Sequence, residues 1–200
     1  MLQWNLASNL ERSITRLFGA LILKFSLKLF LLVVLVVPII AITIKLGIKH
    51  QEINQIVAAV TSGDTQLVRK KLDHFDVNTR ILRGSHLESN STLLIIAVKR
   101  SDVDMVRLLL QAGADPILQD NGGYAAIHYA AEGTSGNFLA ELDILNDLVV
   151  CRKSLYLETT WGYTPMDLAI HKTHDMRVRT LQQKKIEVLK MALNENKGQE

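Results

Sequence analysis

Two histidines three residues apart, His171 and His174, with Asp175 directly after, are the grouping in this chain that looks most like a reactive site. On a helix His171 and His174 share a face, as zinc ligands do. No third ligand is placed by spacing, and no His-Glu-x-x-His pattern occurs, so two surface histidines at a helix end explain the pair as well. Cys151 is the one cysteine, which excludes an intrachain disulfide and a cysteine-based zinc site. The sequence has no Gly-x-Ser-x-Gly, no phosphate-binding loop and no dinucleotide fingerprint. Gly122-Gly123 reads as the turn of a finger. The Asp and Glu residues fall at helix positions expected to face solvent, and no acid/base pair is evident. We therefore expect no enzyme activity, cofactor, bound metal or small-molecule substrate.

Charge is unevenly placed. Residues 1–50 carry six Lys/Arg and one acidic residue, whereas residues 51–200 carry the remaining 17 basic and 19 acidic ones. The basic balance thus belongs to the N-terminal segment, and the rest is slightly acidic. A nucleic-acid partner is not expected, because such binding calls for a basic folded face.

Leu29 to Ile44 is an uninterrupted run of 16 uncharged residues bounded by Lys28 and Lys45. At about 1.5 Å per residue it covers roughly 24 Å, and snorkelling lysines extend it across a ~30 Å hydrocarbon core. Residues 25–48 are therefore expected to form a single transmembrane helix in contact with lipid. Pro38 lies inside it, which membrane helices tolerate. The leader is too long for a cleaved signal, and Ile39 occupies a position where a small residue is preferred. In residues 1–24, Leu6, Leu10, Ile14, Leu17 and Leu21 recur at steps of three and four. That stripe fits an interfacial amphipathic segment, and it equally fits a frayed tail. Arg12, Arg16, Lys24 and Lys28 precede the run, and only Lys45 and Lys49 follow closely. The positive-inside rule then puts the N-terminus in the cytoplasm and the remainder across the membrane, which in a bacterium is the periplasmic side of the inner membrane.

The elements after the anchor repeat. Gly123 to Ala131 reads G-Y-A-A-I-H-Y-A-A, Gly162 to Ala169 reads G-Y-T-P-M-D-L-A, and Asn90 to Ala97 reads N-S-T-L-L-I-I-A. Equivalent positions are Thr92, Ala125 and Thr164, 33 and 39 residues apart. Val103 to Leu110 is a short amphipathic helix closed by Gln111-Ala112-Gly113-Ala114-Asp115. Such units cannot bury their apolar faces alone and must stack.

These residues resemble the ankyrin repeat, whose pattern runs through a turn with Asp and Gly, Thr-Pro-Leu-His, paired alanines, an outer helix ending Leu-Leu, and Gly-Ala-Asp. Thr164-Pro165, Ile127-His128, Ala130-Ala131 and Gly113-Ala114-Asp115 carry the match. A degenerate first copy lies at Ile53 to Asn78, through Ala58-Ala59, Gly63-Asp64 and Asp76-Val77-Asn78. The resemblance implies an all-α solenoid over residues 52–193, with repeats near 53–80, 90–119, 120–158 and 159–193. Its last helix is expected at Arg179 to Leu193, with a polar tail at 194–200. Ile81 to Asn90 would make a longer finger, and Gly133 to Asn137 would loop between two helices.

By the same resemblance, His128 links neighbouring repeats, and the groove of finger tips and inner helices captures another protein. The contact positions are then Asn121, Gly122 and Tyr124 in the third repeat, and Thr160, Trp161 and Tyr163 in the fourth. Arg83 and His86 on the longer finger join the rim. Trp161, Tyr163 and Tyr124 make an aromatic ridge, unless Tyr124 and Tyr163 pack between repeats; both remain open at this point. An immunity-type role toward a secreted toxin, or capture of a periplasmic partner, suits this arrangement. The alternative is a scaffold or regulatory subunit with its repeats in the cytoplasm, weakly disfavoured by the absence of Gly-x-x-x-Gly in the apolar run.

Overall fold

The computed structural model describes residues 35–82, 90–133, 135–172 and 179–197. The chain divides into two compact units, Met1–Glu52 and Ile53–Glu200. In the first unit, residues 35–52 are helical and exposed throughout, including Leu35, Val37, Ile39, Ile42 and Leu46. The expected interfacial segment 1–24, and the expected span 25–48 up to residue 34, lie outside the described residues. The described part of the uncharged run, residues 35–44, is ten residues long, about 15 Å and half of a ~30 Å hydrocarbon core. Among the described residues, no helix is long and apolar enough to cross a membrane.

The second unit is helical, with no strand among the described residues. Its elements are α1 (53–62), α2 (Thr65–Leu72), α3 (Leu93–Lys99), α4 (Val103–Gln111), α5 (Ala126–Glu132), α6 (Phe138–Val149), a 3₁₀ turn (Arg152–Tyr156), α7 (Pro165–His171) and α8 (Arg179–Lys197). Most begin where a short polar side chain can accept a hydrogen bond from a first-turn N–H. Asp64 accepts from Leu67, Thr92 from Ile95, Asp102 from Met105, Asn137 from Ala140 and Thr164 from Asp167. Pro165 then sits at the first helical position, where its missing N–H is harmless. The last helix runs on to Lys197, four residues beyond the boundary expected from sequence. No helix breaker precedes Gly198, so nothing in the chain stops it sooner.

The helices pair and stack. α3 packs on α4 and α5 on α6, while α3, α5 and α7 form one row and α2, α4, α6 and α8 the other. Buried alanines, Ala97, Ala130, Ala131 and Ala169, occupy the inner row and let its helices approach closely. Between them lie Leu93, Ile95, Met105, Leu109, Ile127, Ile144, Leu145 and Leu148, all at 2% exposure or less. Each such side chain contributes about 1.5–3 kcal/mol by leaving water.

Polar side chains tie successive fingers together. Asn78 donates to the Gly113 carbonyl at 3.2 Å and accepts from the Asp115 N–H at 2.8 Å. The Arg80 guanidinium donates to the carbonyls of Asn90 and Gln119. The Gln119 amide donates to the carbonyls of Gly123 and Glu158. Ile81 and Ser91 form an isolated antiparallel bridge.

One expectation is corrected here. The acidic residues are not all at solvent-facing positions: Glu141 is buried on α6 and paired with a buried Lys185 on α8 at 2.9 Å. Lys185 also donates to the Ala130 carbonyl at 2.9 Å, and Gln182 to that of Ala131 at 2.7 Å. The two side chains thus satisfy carbonyls in the last turn of α5, where the helix dipole favours a cation. The second Glu141 oxygen accepts from the N–H and hydroxyl of Ser135, both at 2.9 Å, and the Ser135 hydroxyl meets that of Ser101 at 2.5 Å. Burial pushes the Glu141 carboxyl up, but the Lys185 ammonium and the two Ser135 donors outweigh it and hold it below the usual glutamate range. Burial draws Lys185 below the usual lysine range, against the pull of Glu141. Helical periodicity missed this pair because 44 residues separate its members.

Candidate protein-binding face

Two fingers are built on the same plan. In the third repeat the Asp120 N–H donates to the Tyr124 carbonyl and the Gly123 N–H to the Asp120 carbonyl, both at 3.0 Å. The buried Asp120 carboxylate accepts from the N–H groups of Gly122 and Tyr124 and from the Tyr129 hydroxyl, the last at 2.6 Å. In the fourth repeat Thr159 takes the place of Asp120. Its N–H donates to the Tyr163 carbonyl, and its hydroxyl accepts from the Tyr163 N–H at 3.1 Å. The Thr160 N–H and hydroxyl both donate to the Gly122 carbonyl at 3.0 Å, which fastens one finger to the next.

On this frame the aromatic side chains divide by role. Tyr124 is half-buried against the core, with its ring centroid 5.0 Å from Tyr129 and 5.7 Å from His128. Trp161 meets Tyr124 edge-on at 6.0 Å and 72°. It is still 54% exposed, and Tyr163 is 47% exposed. Tyr124 therefore forms the floor on which an exposed Trp161 is propped, with Tyr163 exposed two residues along the same finger. The Tyr124 phenol is raised above its usual range by burial, then by Glu132 and Asp120, and stays a neutral hydroxyl.

The remaining expected contact residues fall differently. Asn121 is exposed at the tip of its finger, Gly122 is buried, and Thr160 is exposed with both donors already committed to Gly122. Arg83 and His86 lie outside the described residues. Sequence reasoning did not single out Ile170, 47% exposed on α7 of the inner row; its place two turns beyond the finger, on the side of α7 shared with Met166 and Asp167, was the available signal. His174 and Asp175 lie outside the described residues, and among the described ones no group of three His, Cys, Asp or Glu could hold a metal.

His128 is buried beneath this face. Its Nδ1 accepts from the Ala125 N–H at 3.0 Å, and its Nε2 lies 3.0 Å from the Leu157 carbonyl, two residues before the fourth finger begins. Burial holds the imidazole below the usual histidine range, against backbone hydrogen bonds at Leu157, Tyr163 and Ala125 and the charge of Asp120.

Residues 56–142 match the family model described as ankyrin repeats, three copies. No curated protein sequence matches. Among solved structures the chain is similar to the crystal structure of the ankyrin repeat domain of Bcl-3, a member of the IkappaB protein family. The TM-score is 0.53 and the identity 23%, over 68% of this chain and 50% of that one. This chain thus spans about half the length of that structure. The match over residues 56–142 and the stacked helix pairs together show ankyrin repeats in an all-helical ankyrin-repeat fold.

Proposed function

We propose that this chain is a membrane-anchored capture module that binds one protein partner on its finger face and performs no chemistry. The observation that carries the reading is the exposure of Trp161 and Tyr163 on a finger braced from below by Tyr124 and from the side by Thr160. Large rigid rings with a polar edge bury area at little cost in conformational freedom, and held this way they suit a binding hot spot. Ile170 is a further exposed apolar side chain on the inner row, and Asn121 is an exposed polar one at a finger tip. The uncharged run Leu29 to Ile44, with residues 35–48 exposed on every side, supports anchoring in lipid. The excess of basic residues before the run supports repeats on the extracytoplasmic side, where a periplasmic protein or a secreted toxin would be met. Alkaline phosphatase fused to the C-terminus should be active in that orientation; an inactive fusion would place the repeats in the cytoplasm and favour a scaffold role.

The binding test uses the full chain in a mild detergent. A partner captured by the wild type should bind the double variant Trp161→Ala, Tyr163→Ala at least about tenfold more weakly. Surface truncations of this kind change stability by about 0.5 kcal/mol each, so the melting temperature should hardly move. Undiminished capture would remove the finger face from the site, and a collapse in melting temperature would make the rings part of the core.

A further inference from the structure

The three inner helices do not begin alike. α3 and α7 start on Thr92 and Thr164, whose hydroxyls accept from the third helical N–H, and in α7 the Asp167 carboxylate also accepts from the Thr164 N–H at 2.9 Å. α5 starts on Ala125, which has no side-chain acceptor. The reciprocal bond there comes from a ring: the Ala125 N–H donates to His128 Nδ1. Because Nδ1 accepts, the ring proton must sit on Nε2, which then donates to the Leu157 carbonyl. One buried imidazole, in one tautomer, thus holds both the start of α5 and the strand of chain leading into the Trp161 finger.

We propose that protonation of His128 unlocks this joint and loosens the finger bearing Trp161 and Tyr163, so that partner capture weakens in mild acid. Adding a proton to Nδ1 sets two donors, N–H against N–H, at a buried site where water cannot replace the lost bond. The ring must turn out, which releases Leu157, or the helix start must open at Ala125, which shifts the neighbouring Tyr124 ring against which Trp161 rests. Among the described residues, the titratable side chains facing the ring are Asp120 and Tyr124. The Asp120 carboxylate favours the charged ring, but it already accepts from Gly122, Tyr124 and Tyr129. The Tyr124 phenol is neutral, and its ring meets the imidazole in a T-shaped contact.

The sign follows from linkage. A histidine whose folded value is depressed takes up protons more readily when released, so the stability of the joint is complete above the ordinary value of about 6.5 and declines as the pH falls below it. Glu141 acts in a separate, more acidic range. The movement of the finger stands on geometry alone; its effect on capture rests on the proposed function.

Trp161 reports the finger directly once Trp4 is replaced by Phe. In the full chain in detergent, Trp161 emission should shift between pH 7.5 and 5 while far-UV circular dichroism stays level. His128→Gln, whose amide offers an acceptor and a donor but gains no proton, should abolish the shift, and His171→Gln should leave it intact. Where a partner is in hand, wild-type capture should fall at least about fivefold over that range and the His128→Gln protein should not respond. A finger shift without a change in capture would refute the binding site and spare the joint. Trp161 emission that stays constant until the helices melt would overturn the joint itself. Should His128→Gln fail to fold, carbon-13-labelled histidine in the wild type decides the matter: the His128 ring and the Trp161 indole must titrate with one midpoint, and unequal midpoints refute the proposal.

Discussion

Glu141→Ala should destabilise the repeat domain by about 3–5 kcal/mol, the cost of leaving a buried charge without its partner. Lys185 is fully buried, and among the described residues its ammonium keeps the Ala130 carbonyl and the face of the Phe138 ring, 5.5 Å from its centroid, when the carboxylate is removed. Ser135 would lose the acceptor for both its N–H and its hydroxyl, so the link toward Ser101 slackens as well. The double variant Glu141→Leu, Lys185→Met is the informative comparison. Apolar residues of similar volume remove both desolvation costs and should restore most of the loss. Urea unfolding of the three proteins under one buffer measures both effects. A single variant within 1 kcal/mol of the wild type, expected only of surface changes, would mean that the pair is open to water.

The same pair sets an acid limit. Glu141 has a depressed folded value, so its contribution is complete above the usual glutamate value of about 4.3 and is lost as the pH falls through the lower folded one. Wild-type stability should therefore drop steeply below pH 4.3, and the double apolar variant should drop less.

Gly123→Ala should cost about 2–5 kcal/mol, and Gly162→Ala only about 1–2, although the two glycines hold the same place in consecutive repeats. Both have left-handed backbones, with φ of 75° and 77°, and an L-residue is strained at either. The difference lies in the neighbours. A Cβ on Gly123 would sit 2.6 Å from the Thr160 nitrogen and 2.9 Å from the Thr159 backbone, where no side chain can move aside. A Cβ on Gly162 meets nothing within 4 Å. The excess for Gly123 measures how tightly the fingers are fastened. Its variant should also lose the Thr160 bonds to Gly122, so exchange of the Thr160 amide should quicken in Gly123→Ala and not in Gly162→Ala. Equal costs would show that the fingers are not in close contact.

How far the sequence determined this protein is clearest from single residues. The stacked helix pairs were legible because ankyrin units are local: Thr164-Pro165 starts a helix, Gly113-Ala114-Asp115 ends one, and the alanine pairs mark the close contacts, each within about ten residues. His128 was legible as a link between repeats for the same reason, since its place in the motif is fixed. The exposure of Trp161 and the half-burial of Tyr124 were not, because both types serve equally well as core or as contact. Their roles depend on the register between fingers, set by Thr160 and Gly122, 38 residues apart. Glu141 and Lys185 show the same limit more sharply: each reads as a solvated helix residue until α8 folds against the ends of α5 and α6. Local propensity and periodicity decided which segments became helices. Only tertiary packing decided which polar groups were shut away from water, because burial is a property of what lies across the interface and not of the residue's own neighbours in the chain.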